Sequence, residues 1–127
     1  MSGLVEASAD ARSKTIGANF RCRVWVNFDG TGTIAIRDSG NVSSLTDQGT
    51  GSYTVHFGSD MSDNDYACFI STVNRHYNSG VGYTIGYYSN DDVNAGNYNY
   101  NSVRLEVKRS DTNTMQDLNT ISVAIFR

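Results

Sequence analysis

Proline is absent from the 127 residues, and cysteine occurs twice, as Cys22 and Cys68. Two distant thiols make no disulfide framework and lack metal-ligand spacing. Each lies in a segment of alternating polarity, where a small buried thiol is the expectation. Long apolar runs are also missing. No stretch approaches the roughly 18 residues that span a bilayer. The first twenty residues, "MSGLVEASADARSKTIGANF", lack the basic start and apolar centre of a secretory signal. The expectation is a protein made in a cytoplasm and not inserted in a membrane. A basic surplus is lacking too: ten Lys and Arg stand against thirteen Asp and Glu, for a net charge of -3. That balance argues against a nucleic-acid binder, which would carry a basic face. The two basic pairs, Arg21/Arg23 and Lys108/Arg109, fall on alternating segments and read as solvated strand positions.

What the chain does have is glycine, twelve residues of it, with Thr, Ser, Asn and Asp between short apolar alternations. That composition predicts an all-β domain with many tight turns. In "FRCRVWVNF", Phe20, Cys22, Val24, Val26 and Phe28 share one face, and Arg21, Arg23, Trp25 and Asn27 the other. Strict alternation over such a span is a half-buried strand. "DGTG" at 29–32 is a hairpin turn, because Asp-Gly tolerates positive φ. "TIAIR" follows, with Ile34 and Ile36 on one face, then the weaker "NVSSLT" and a second turn, "DQGTG". "SYTVHF" alternates through Tyr53, Val55 and Phe57. "GSDMSDND" reads as a loop with room for one helical turn. "YACFISTVNR", apolar on both faces, reads as a central strand. "GYTIGYY", "VRLEVKR" and "TISVAIFR" complete about eight strands. The predicted fold is an antiparallel β-sandwich over residues 20–127, preceded by a short N-terminal arm, 1–19, for attachment or subunit contact.

Catalysis needs ionisable groups in mutual reach. His56 sits on the outward parity of its strand and His76 near a strand end. No serine or cysteine stands in a G-x-S-x-G context. Asp47, Asp60, Asp63, Asp65, Asp91 and Asp92 all fall in loops, where aspartate serves as a turn residue. "DMSDND" lacks the glycine and the bidentate glutamate of an EF-hand loop. The Gly-rich turns precede no helix that could bind phosphate. The expectation is a non-enzyme without cofactor or metal.

The segment at 83–101, "YTIGYYSNDDVNAGNYNYN", differs in kind. Tyrosine offers a rigid contact surface with a polar tip, and Asn and Asp add short hydrogen-bonding groups, as in antibody paratopes. Flat rings beside such groups also suit sugars. Two other readings stand beside recognition: cross-strand ring pairs that stabilise a hairpin, and a subunit interface. Tyr83, Tyr87 and Tyr100 are the packing candidates. Tyr88, Asn90, Asp91, Asp92, Asn94, Asn97 and Tyr98 are the candidate partner-binding residues.

The stretch "WVNFDGTGTIAIRDSGNVSSLTDQGTGSYTVHF", with Asp63 and Tyr66 after it in a D-x-x-Y spacing, resembles a β-module of tail-fibre and other virion proteins of tailed bacteriophages, especially marine ones. The similarity runs densely from Ser13 to Tyr66, weakens through the Tyr/Asn segment and returns faintly in "ISVAIF". It implies a virion structural domain, commonly trimeric and appended to fibres, and supplies no binding residues. The expectation is thus a virion-located homotrimer, a small tail-fibre or tip module that meets other virion proteins and a host surface glycan. A capsid decoration protein and, more remotely, a glycan hydrolase remain the competing readings.

Overall fold

Alternating polarity builds each strand and decides which way its side chains face. The structure, a computed structural model, describes residues 21–73, the backbone of 83–87, and residues 99–127. Along the chain run β1 (Cys22–Asp29), β2 (Ala35–Gly40), β3 (Val42–Gly49), β4 (Ser52–Phe57), β5 (Ala67–Thr72), β6 (Tyr83–Tyr87), β7 (Ser102–Arg109) and β8 (Ile121–Phe126). Seven of these are described with their side chains; β6 is described through its backbone pairing to β7 alone. They form two antiparallel sheets, in the orders β2-β1-β8-β5 and β3-β4-β7-β6. The fold is an all-β sandwich.

The first sheet turns Val24, Val26, Phe28, Ile121, Val123 and Ile125 inward, and the second turns Tyr53, Val55, Phe57, Val103, Leu105 and Val107 to meet them. Edge-to-face ring pairs join Phe28 to Tyr53 across the core, centroids 5.2 Å apart, and Phe57 to the loop residue Tyr66 at 5.7 Å. A fully buried apolar side chain of this size contributes about 1.5–3 kcal/mol, against about 0–1 kcal/mol for an exposed ion pair. The interior therefore carries the fold, and the surface ion pairs of Arg37, Lys108 and Arg109 do not.

The connections are held by short polar contacts. Asn41, with φ of 56°, is the one residue between β2 and β3 and turns the chain from one sheet to the other. Its side chain donates to the Arg23 carbonyl at 3.0 Å and accepts from the Ser59 N–H at 2.7 Å. Asparagine tolerates this left-handed conformation better than most residues. Beyond β7, Asp117 accepts from the Gly51 N–H and from the Tyr53 hydroxyl, each at 2.7 Å. Burial first, then the hydrogen bond to Asp117, pushes the Tyr53 phenol far above its ordinary value. It stays protonated and ties the closing loop to the core.

Several sequence expectations change. The strand containing Phe69 is not central. Among the described residues, β5 pairs only with β8, at the end of its sheet. Its outward residues therefore meet solvent. Cys22 is exposed, because the pairing with β8 shifts register between Cys22 and Val24 and breaks the alternation at the strand's start. Cys68 is partly buried against the core. Ile34 packs on the core as well, but Ile36, paired opposite the inward Phe28, is 42% exposed on the outer strand β2. The loop at 58–66 has no helical turn, although it buries Met61. Tyr100 is 52% exposed and is not a packing residue. The N-terminal arm lies outside the described residues.

Candidate functional site

All seven partner-binding candidates (Tyr88, Asn90, Asp91, Asp92, Asn94, Asn97 and Tyr98) lie outside the described residues, as does His76. The side chains of Tyr83 and Tyr87 do too. His56 is described. It is half-buried and lies 2.8 Å from the Thr46 hydroxyl, part of the outer surface of the second sheet. The D-x-x-Y pair is structural. Asp63 receives two hydrogen bonds from the Arg127 guanidinium, at 3.1 and 2.6 Å, and caps the Asp65 N–H at 2.9 Å. Those bonds hold its carboxyl below the usual carboxylate range. The Tyr66 hydroxyl donates to the Asn99 carbonyl at 2.7 Å, pinning the loop that enters β7.

The described surface has its own candidate, which the sequence reading passed over. On the outer face of the first sheet, antiparallel pairing sets Gly40, Trp25, Ala124 and Phe69 in one row across all four strands. Trp25 is 40% exposed and Phe69 63%. A Cβ on Gly40 would collide with the Trp25 indole, so the indole lies against β2 where glycine makes room. Phe69 is braced edge-to-face by Phe126, centroids 5.7 Å apart. Small Ala124 between the two rings leaves a groove of about 460 Å³. The next row is polar: Asp38, Asn27, Ser122 and Ser71. Within it Asn27 donates to the Ser122 hydroxyl at 2.8 Å. Arg37 reaches the row from β2, donating to Asn27 at 3.4 Å and to the Asn119 carbonyl, with Asp29 beside it at 3.6 Å.

None of the residues lining the groove carries a charge. What the described lining offers is aromatic and aliphatic surface, one amide and two hydroxyls. Among the described residues, no three His, Cys, Asp or Glu side chains converge as a metal set. A second hollow, about 290 Å³, is lined by Arg23, Asn41, Asp60 and Arg127 among others. Its arginines are spent on the fold: Arg127 holds Asp63, and Arg23 donates to the Arg127 carbonyl at 3.0 Å.

One sequence signal pointed to the groove. Trp25 is the sole tryptophan and sits on the parity that strict alternation assigns to solvent. Phe69 gave no such signal, because its strand is apolar at both parities. Set against known proteins, the chain matches no family model, no curated protein and no solved structure.

Proposed function

We propose that this domain is a non-catalytic attachment module of a bacteriophage virion, a small tail-fibre or tip unit that contacts the host surface. The contact surface is the outer face of the β2-β1-β8-β5 sheet. One observation carries this reading: two large rings, Trp25 and Phe69, stand exposed on a sheet face that has no covering layer among the described residues. Aromatic residues concentrate in recognition surfaces, where they supply much of the binding energy. The virion setting is supported by the resemblance of residues 13–66 to a phage structural module. Several copies on one particle convert weak single contacts into firm attachment, because each later contact forms at high effective concentration.

Two measurements test the proposal. An electron-microscopy map of the virion is expected to place the domain at the tail; density at capsid symmetry positions would establish the decoration reading instead. The isolated protein is expected to slow adsorption of the phage to its host, and Phe69→Ser to abolish that competition. Equal competition by the variant would remove this face from the attachment reading.

A further inference from the structure

We infer that the groove between Trp25 and Phe69 binds a neutral oligosaccharide, with a sugar ring over Ala124 and its hydroxyls along the Asn27–Ser122–Ser71 row. The inference rests on the proposed role of this face in attachment and adds the chemical class of what is bound.

Shape narrows the choice first. β1 and β5 flank β8, so the two rings rise from backbones about 10 Å apart, two strand spacings. An α-helix with its side chains is about 10–12 Å across and does not fit between them. A single flat ring does. Main-chain chemistry narrows it further. An extended peptide gains affinity by adding to a sheet edge, where backbone groups are open. The floor here is a sheet face: β8 is paired on both sides, to β1 and to β5. Only side chains are offered to a ligand.

Those side chains are of two kinds in adjacent rows. The aromatic row presents apolar surface suited to the C–H face of a sugar. Within the groove the polar row presents an amide and two hydroxyls, groups that both donate and accept, as sugar hydroxyls do; the row's fourth member, Asp38 on β2, does not line the groove. The lining is uncharged, and the nearest cation, Arg37, stands beside Asp29 and bonds Asn27 and the Asn119 carbonyl. Nothing in the groove selects a sulfate, phosphate or carboxylate. A second copy of the chain is the competing occupant of this face, and sedimentation separates it from a glycan. The rings need little ordering on binding, since Gly40 seats one and Phe126 braces the other.

Trp25 is the single tryptophan of the chain, so its emission reports on the groove directly. The experiment is a glycan array of neutral and anionic oligosaccharides, followed by fluorescence titration with the best neutral binder. Binding to neutral glycans with a change in Trp25 emission is expected. Phe69→Ser removes one wall, and Ala124→Gln fills the floor while keeping both rings. Each is expected to weaken binding about tenfold or more, with thermal unfolding showing that the variants remain folded. Binding only to anionic glycans, or equal binding by both variants, would overturn the inference. If no glycan binds but the protein still competes for host cells through Phe69, attachment stands and the ligand is another molecule. Dissociation of an oligomer by Phe69→Ser in sedimentation would assign the face to a second copy.

Discussion

The two outer faces of the sandwich share one backbone pattern and end in opposite chemistry. On β3, β4 and β7 the outward side chains bond to one another. Thr46 meets His56, Gln48 donates to Thr54 at 3.2 Å, Arg104 donates to Ser52 at 3.1 Å, and Lys108 pairs with Glu106 at 3.2 Å. A face made only of polar groups partnered with one another presents little apolar surface to a visitor. On β1, β8 and β5 the corresponding positions hold Trp25, Ala124 and Phe69, whose rings have no bonding to give up. Removing them from water is favourable in proportion to their apolar area. The difference teaches where binding can be gained on this fold.

The largest expected effect falls beneath both faces. Leu105→Ala opens a cavity in the shared core, where Leu105 is fully buried. It is expected to lower stability by about 2–5 kcal/mol in urea unfolding, with both sheets lost in one transition. Two separate transitions would mean that the sheets do not share a core.

Asp117→Ala should follow in size. It removes the acceptor for the Gly51 N–H and one acceptor of the Tyr53 hydroxyl, which keeps the Gly30 carbonyl at 2.9 Å. A loss of about 1–3 kcal/mol is expected, with attachment through the aromatic face unchanged. A variant as stable as the parent would show that this node is not structural.

Gly40→Ala acts on the aromatic face alone. The new methyl displaces the indole, so Trp25 emission should move to longer wavelength, with a stability loss of about 1 kcal/mol. An unchanged spectrum would mean that the indole does not rest on Gly40.

Lys108→Ala tests the other face. Its pair with Glu106 is half-buried at the sheet surface, and the change is expected at about 1 kcal/mol or less with no effect on adsorption. A loss of adsorption would transfer function to the polar face and reverse the comparison.

The smallest effect is a pH dependence. Asp63 is held below the usual carboxylate range by Arg127, so its ion pair stabilises the fold at neutral pH. A group whose folded pKa is depressed contributes fully above its unfolded value, about 3.9, and loses that contribution as pH falls through the lower folded value. The difference in stability between the parent and Asp63→Asn should therefore stay constant down to about pH 4 and vanish in stronger acid. A difference that grows in acid would contradict the pairing.

Much of this was legible in the residues. The alternation in "FRCRVWVNF" named Val24, Val26 and Phe28 as interior, and the same reasoning named Tyr53, Val55, Phe57, Val103, Leu105 and Val107. The turns at "DGTG" and "DQGTG" showed as well: Gly32 and Gly51 take φ of 58° and 67°. Cys22 escaped because alternation assumes an unbroken register and a shift falls between Cys22 and Val24. Ile36 keeps its register opposite Phe28, but local pattern does not reveal that β2 lies at the end of its sheet. The site escaped for another reason. Tyr88 to Tyr98 drew notice by composition, whereas Trp25 and Phe69 lie 44 positions apart and become neighbours across Ala124 only through the pairing of β1 and β5 with β8.

The sequence alone determined the all-β class, the turns and most of the core, because alternation and glycine act over a few residues and need no knowledge of the whole. Strand order was decided by the tertiary structure. A strand apolar on both faces suits a sheet centre as well as an outer position, and local pattern cannot count its neighbours. Placing β5 outermost brings Phe69 to the surface opposite Trp25 and makes a groove from residues that separately looked like packing.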